Sequence, residues 1–331
     1  MFKTLTKRIT ALIGCTLLAM SSYASVVSEH GAISVKNGQI VDQNGDVLML
    51  AGPSFFWSNT TWDGEKFYRA DLVDYFVDDW RANAVRAAIG GDNTGSWESD
   101  SEGNWLRLTA IIDQAISRDI YVVVDFHSHY AHQKPDVAAD FFNRVLDAYA
   151  EYPNIIYEIY NEPLNDVTWD DDVKPYSELM ISIIREKAPS ALIVVGSPSW
   201  SQDVEVAAKN PLDDPNVTYS LHFYTGTHKQ ALREKADVAM SLGASLFVSE
   251  WGAVSAHGDG DVNYESTEEW FRFVHEHQLS HFGWGVSDKN ETAAIFEAAG
   301  ENFAVEDLQL TENGRLLRQL VRETTRTSTN H

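Results

Sequence analysis

Cysteine is almost absent from this chain: Cys15 is the single one in 331 residues. That excludes an intrachain disulfide, a thiolate metal cage and, once the first residues are removed, a cysteine nucleophile. Cationic side chains are scarce as well. Lys and Arg number 25 against 49 Asp and Glu, so the formal net charge is −24. A surface this acidic repels nucleic acid and anionic membranes, suits a neutral substrate and favours solubility in salt. Long apolar runs are lacking except at the start, and Ile9 to Met20 is too short to span a bilayer. Nor is there a Pro/Ser-rich linker that would announce a second module.

The short apolar run has its own explanation. Lys3, Lys7 and Arg8 precede it and Ser22-Tyr23-Ala24 follows it. A positive end, an apolar middle and a small-residue site make a secretory signal over residues 1–24. Leu12-Ile13-Gly14-Cys15 is a faint match to a lipoprotein box. Cutting there would leave too short an apolar run before it and an apolar tail behind it, so a lipid anchor is not expected. Residues 25–331 are then one secreted domain, expected to act as a monomer with no cofactor and no metal.

What the chain has in quantity is alternation. Turn signals at Lys36-Asn37-Gly38 and Gln43-Asn44-Gly45-Asp46 mark small hairpins between Gly31 and Leu48. Apolar strands are expected at Val47–Phe55, Ala84–Ile89, Tyr121–Phe126, around Ile155, and at Leu192–Val195, Val217–Phe223, Leu246–Ser249 and His281–Val286. Between and after them come helical patterns: Tyr68–Ala82, Leu106–Ser117, one opened by Pro135, then about Tyr176–Ala188, Val204–Lys209, Gln230–Leu242, Thr267–His277 and Leu316–Glu323. Thr324 to His331 reads as a frayed tail. Strands apolar on both faces belong to a buried parallel sheet. Eight alternations predict an eight-stranded parallel (β/α) TIM barrel with short N-terminal β-hairpins.

In such a barrel chemistry sits at the C-terminal strand ends. The strand through Ile155 stops in Asn161-Glu162-Pro163, because proline has no N–H for a ladder. Phe247-Val248-Ser249-Glu250-Trp251-Gly252 repeats the layout. Around the same rim stand Trp57, Arg86, His127 with His129, Trp200, His222 with Tyr224, and Trp284. Two carboxylates at matching strand ends are what glycoside hydrolysis needs, one protonated and one ionised. Arg86 and Tyr224 would keep a neighbouring carboxylate ionised. Trp57, Trp200 and Trp284 would floor a sugar cleft. A rival is a metal-dependent hydrolase built on His127-Ser128-His129, with His222 and Asp288 as further ligands. Gly258-Asp259-Gly260-Asp261 lacks the spacing of a calcium loop and reads as a turn.

Asn161-Glu162-Pro163 together with Ser249-Glu250-Trp251-Gly252 resembles glycoside hydrolase family 5, the bacterial endo-β-1,4-glucanases (cellulases). Arg86-Ala87-Ala88, Asp125-Phe126-His127, Trp200-Ser201-Gln202-Asp203-Val204, His222-Phe223-Tyr224 and Trp284 fall in the family's order through nearly the whole chain. The resemblance implies a retaining hydrolase of cellulose or related soluble β-glucans, with Glu162 as acid/base and Glu250 as nucleophile. It implies that Arg86 and Tyr224 hold the nucleophile and His222 orients the acid/base. Asn161 and His127 would touch the sugar at the cleaved bond, Trp284 would be its stacking platform, and Lys289 and Glu291 would lie one sugar further out. Two departures touch the non-reducing end. Ser54-Phe55-Phe56-Trp57 stands where many relatives carry a histidine, and Ile89-Gly90 where many carry a tyrosine. Mannan, xylan and mixed-linkage glucan remain alternative substrates, and a non-catalytic sugar binder is disfavoured by the paired carboxylates.

Overall fold

Side-chain alternation along the strands sets the architecture, since successive residues of a strand face opposite ways. Ala84, Tyr121, Val123, Ile156, Val194, Phe247 and Phe282 share one buried cluster inside the sheet. Val85, Val122, Val124, Ile155, Tyr157, Ile193 and Val195 face outward into a larger cluster with the helices. Strands with two apolar faces must be covered on both, and a closed barrel ringed by helices does this.

The computed structural model describes residues 26–328 and has that closure. The signal assigned to residues 1–24, with Cys15, lies outside the described residues. An antiparallel hairpin, β1 (Ser34–Lys36) and β2 (Gln39–Val41), comes first. The barrel strands are β3 (Ala51–Phe55), β4 (Ala84–Gly90), β5 (Tyr121–His127), β6 (Ile155–Glu158), β7 (Ile193–Val195) and β8 (Val217–Ser220). The short β9 (Phe223–Tyr224) continues from β8, and β10 (Leu246–Gly252) and β11 (His281–Val286) complete the set. Neighbours pair in parallel around the ring, and β11 pairs with both β10 and β3, which closes it.

The helices are α1 (Val26–His30), α2 (Ala70–Tyr75), α3 (Ser101–Ser117), α4 (Pro135–Tyr149), α5 (Lys174–Lys187), α6 (Pro198–Ser201), α7 (Val204–Lys209), α8 (Gln230–Ser241), α9 (Tyr264–Glu276) and α10 (Glu312–Ser328). Val27 of α1, Ile40 of the hairpin and Ile33, Leu48 and Leu50 plug the N-terminal end of the barrel. Among the described residues no helix is long and apolar enough to cross a membrane.

Several boundaries differ from the sequence reading, three of them with a clear packing reason. The first barrel strand begins at Ala51 and not Val47, because Val47 bridges back to Val41 while Leu48 and Leu50 fill the plug. The helix expected over Tyr68–Ala82 is α2 followed by a wider turn, Phe76–Trp80, and Arg81 at φ 60° ends it. The tail expected to fray from Thr324 is instead helical to Ser328. Thr324 is buried, its Oγ1 lying 2.8 Å from His281 Nε2 and 3.1 Å from His275 Nε2.

Candidate active site

Continuing each strand two residues past the apolar layer changes its chemistry. Ala84 is followed at the next inward position by Arg86, Val123 by Asp125, Ile156 by Glu158, Phe247 by Ser249 and Phe282 by Trp284. Register brings these together: Ser54 lies opposite Arg86 and Trp284, and Asp125 opposite Glu158. A polar layer thus sits on an apolar one, and Arg86 is its hub. Its guanidinium meets Glu158 at 2.7 Å, Asp125 at 2.9 Å and Glu250 at 3.0 Å, and also donates to Ser54 Oγ at 3.0 Å and Asn161 Oδ1 at 2.7 Å. Burial alone would lower the Arg86 pKa, but the three carboxylates outweigh it and raise it.

Glu250 lies within β10 and is buried. Its Oε1 accepts from Tyr224 Oη at 2.7 Å and its Oε2 from Arg86. Tyr224 reaches it across Gly252, where a Cβ would stand 2.5 Å from the tyrosine ring. Burial pushes the Tyr224 pKa well up, so it remains a donor. Burial, and then Glu162, also raise the Glu250 pKa, while His222, Arg86 and Tyr224 oppose them. Arg86 and Tyr224 thus act on this carboxyl in the expected direction, against its burial and the nearby Glu162.

Glu162 was expected at the end of its strand, but β6 stops four residues earlier, at Glu158. Loop contacts hold it instead. Its N–H donates to the Ser128 carbonyl at 3.3 Å, and Ser201 Oγ donates to the Asn161 carbonyl at 2.7 Å. Ser199, Trp200 and Ser201 adopt left-handed backbone angles, φ 59°, 57° and 56°. This turn aims the Trp200 N–H at the Pro163 carbonyl, 2.8 Å away, and so clamps the Asn161-Glu162-Pro163 segment. The Glu162 carboxyl is 13% exposed and meets His222 Nδ1 at 2.9 Å. Burial pushes its pKa up to about 7, with His129 and Arg86 pulling it down and Glu158 up. Burial also lowers the His222 pKa to about 4, so that ring is neutral near pH 7.

An oxygen of Glu162, an oxygen of Glu250 and a ring nitrogen of His222 all lie within 4.8 Å of one another. Both Glu250 oxygens and both His222 nitrogens are already committed to protein hydrogen bonds. The arrangement handles protons. The rival metal set does not assemble among the described residues. His127 Nδ1 faces Asp125 at 2.5 Å, His129 Nδ1 faces the Glu162 carbonyl at 3.2 Å, and Asp288 pairs with Lys66 at 2.9 Å.

An open cleft of about 560 Å³ lies above the two glutamates. Trp57, His127, Trp284, Lys289 and Glu291 line it as the sequence reading placed them. Trp284 stacks on His127 at 5.3 Å with 7° between planes, and Lys289 pairs with Glu291 at 2.6 Å. Arg86, Asn161 and His222 sit beneath the lining. Trp200 is not in this lining: it is 38% exposed on its left-handed turn, so it does not join Trp57 and Trp284 in the floor. Phe56, Trp62, His129 and His257 line the cleft without having been singled out for substrate contact. Gly258-Asp259-Gly260-Asp261 is a turn at the cleft wall, with Gly258 at φ +83° and its carbonyl accepting from the Ala293 N–H. Asp125, Glu158 and Ser249 were missed as a layer. The signal was present: charged or hydroxylic residues at the inward register of otherwise apolar strands.

A model of the cellulase family, glycosyl hydrolase family 5, matches residues 41–290. Endoglucanase Z of Dickeya dadantii is 41% identical over 311 residues, 94% of this chain and 70% of that protein. A solved structure from Cytophaga hutchinsonii superposes with a TM-score of 0.86 at 39% identity, covering 92% of this chain and 99% of the other. A variant of the catalytic domain of a Thermobifida fusca endoglucanase, solved in complex with cellotetraose, superposes at 0.82 with 26% identity, covering 90% and 99%.

Proposed function

Since the chain belongs to glycosyl hydrolase family 5, the cellulases, and is a glycoside hydrolase of the endoglucanase kind, we propose that it cuts internal β-1,4-glucosidic bonds with retention of configuration. One observation carries this reading: the Glu162 and Glu250 oxygens approach within 4.8 Å and keep opposite company. Retaining glycosidases hold their carboxyls roughly 5–5.5 Å apart, whereas inverting ones leave about 6.5–9.5 Å for a water.

Two carboxyls this close do not both ionise readily. Arg86 and Tyr224 donate to Glu250, which favours its anion; Glu162, with a pKa near 7, keeps the proton. Glu250 attacks the anomeric carbon while Glu162 protonates the departing oxygen. Glu162, now a carboxylate, then takes a proton from the water that displaces Glu250. In this reading His127 contacts the sugar at the cleaved bond, Trp284 stacks on it, and Asn161, which lies beneath the lining beside Arg86 and His127, supports that contact. On the same reading Lys289 and Glu291, paired in the cleft lining, take the next sugar. A neutral glucan suits the acidic surface, and a relative's complex with cellotetraose supports a β-glucan substrate. Export completes the proposal, resting on the charged and apolar pattern of residues 1–24.

The test uses an activated aryl β-glycoside with azide. Glu250→Ala leaves room for azide to attack directly and should give an α-glycosyl azide. Glu162→Ala still forms the glycosyl-enzyme, which azide should capture as a β product. Swapped configurations would reverse the assignment, and inverted sugar from the wild type would end the retaining mechanism. A panel of carboxymethyl cellulose, lichenan, mannan and xylan tests the substrate, with either of the last two as preferred polymer counting against it.

A further inference from the structure

His222 bonds Glu162, but a neutral imidazole can do so in two ways: as a donor from Nδ1–H or as an acceptor at a bare Nδ1. The two have opposite consequences, since a donor favours the ionised carboxyl and an acceptor the protonated one. We propose that Ser249 is a positioning residue that makes this choice, holding His222 as the Nε2–H tautomer so that its bare Nδ1 keeps the proton on Glu162. The proposal deepens the reading of Glu162 as the acid/base and rests on it.

The protons around Ser249 fix the tautomer. Ser249 is fully buried, and its Oγ has three partners: Glu158 Oε1 at 2.7 Å, Ser220 Oγ at 2.6 Å and His222 Nε2 at 2.9 Å. A hydroxyl has one proton to give. Glu158 is bound to Arg86 at 2.7 Å as a carboxylate and can only accept, so the charge-assisted bond takes the Ser249 proton. Ser220 and His222 must then both donate to Ser249. His222 therefore carries its hydrogen on Nε2, and Nδ1 faces Glu162 Oε1, 2.9 Å away, with a lone pair. That contact is satisfied only when Glu162 donates, which means when it is protonated. Once Glu162 has given its proton to the leaving group, a lone pair faces a carboxylate. This mismatch favours recovery of a proton from the attacking water, as the second step requires.

Other charges face the pair. Arg86, Glu158 and Glu250 act on His222 from β4, β6 and β10. His127 and His228 lie near that ring. His129, Asp125 and Tyr224 act on or alongside Glu162 from β5, the loop after it and β9. All of them survive in Ser249→Ala, so that substitution reads the tautomer rather than the field. In it Nε2–H has no hydroxyl, Glu158 Oε1 being 3.9 Å away. The ring is then free to carry its hydrogen on Nδ1 and donate to the Glu162 carboxylate.

Two measurements decide the matter. In histidine-labelled wild-type enzyme, with His222 assigned by its loss in His222→Gln, ¹⁵N NMR near pH 6 should show an unprotonated Nδ1 and a protonated Nε2. In Ser249→Ala the alkaline limb of kcat/KM, read on an aryl β-glycoside with a poor leaving group, should move down by about one pH unit. Ser249→Thr, which keeps the hydroxyl, should restore it. A protonated Nδ1 in the wild type overturns the proposal, and needs no variant to fold. So does a Ser249→Ala enzyme that loses rate equally at every pH. If Glu162→Gln keeps the alkaline limb, the acid assignment fails instead, while the NMR result still reports the tautomer.

Discussion

At the scale of single residues the site works by keeping two like groups different. Glu162 and Glu250 are both pushed up by burial, and what separates them is the hydrogen on each neighbour. With the Glu162 pKa raised to about 7, the acid is present below that pH and lost above it. The kcat/KM of the wild type should therefore fall on its alkaline side through about pH 7. A limb near the ordinary carboxyl value of roughly 4.3 would contradict the raised pKa. Trp284 tests the cleft floor. It is only 6% exposed, and its ring packs on Phe56 and His127 at 5.1 and 5.3 Å. Trp284→Ala should cut kcat/KM by roughly 100-fold through lost positioning. It should also cost up to about 3–5 kcal/mol of stability, because a buried ring leaves a cavity. Trp284→Phe, which keeps a stacking face, should recover most of both, as kinetics and thermal melts would show.

At the scale of elements, α10 is sealed to the barrel by buried histidine chemistry. Thr324 bridges His275 of α9 and His281 of β11. Burial lowers the His281 pKa to about 3, against an ordinary value near 6.5. The unfolded chain thus takes up a proton below about pH 6.5 that the folded chain refuses. Stability from this group is complete above that value and is lost as pH falls toward 3, at up to ~1.4 kcal/mol per pH unit. His281→Gln should flatten the acid side of a stability-against-pH curve by about that slope, even if it lowers stability at pH 7. An unchanged slope would mean that this ring is protonated in the folded state. His222 and His228, each lowered to about 4, add to the same trend in the wild type.

At the scale of the whole molecule the dominant fact is a net charge of −24. Self-repulsion of that size opposes the compact state and is screened by salt, since the Debye length falls from about 30 Å at 0.01 M to about 3 Å at 1 M. The melting temperature should therefore rise between about 0.01 M and 0.5 M NaCl. A melting temperature that is flat or falling over that range would show that local ion pairs such as Arg185–Asp214 and Arg318–Asp79 already balance the charge.

Much of this protein follows from its one-dimensional pattern. Alternation of strand and helix with apolar residues on both strand faces leaves few ways to cover the sheet, and the eightfold count selects the closed barrel. The two carboxylates, Arg86, Tyr224 and Trp284 were legible as candidates because each stands within or just past an apolar run. Three things were not legible. Glu162 lies four residues beyond its strand, held by a left-handed turn that contributes contacts from the next loop. Trp200, sharing that turn, is exposed outside the cleft lining. The proton-directing chain from Glu162 through His222 and Ser249 to Glu158 links two strands and two loops. Period-two alternation determines which way a residue faces, because that is a local property of the strand. Which residues meet at hydrogen-bonding distance depends on barrel register and loop path, which are set by packing across the closed sheet.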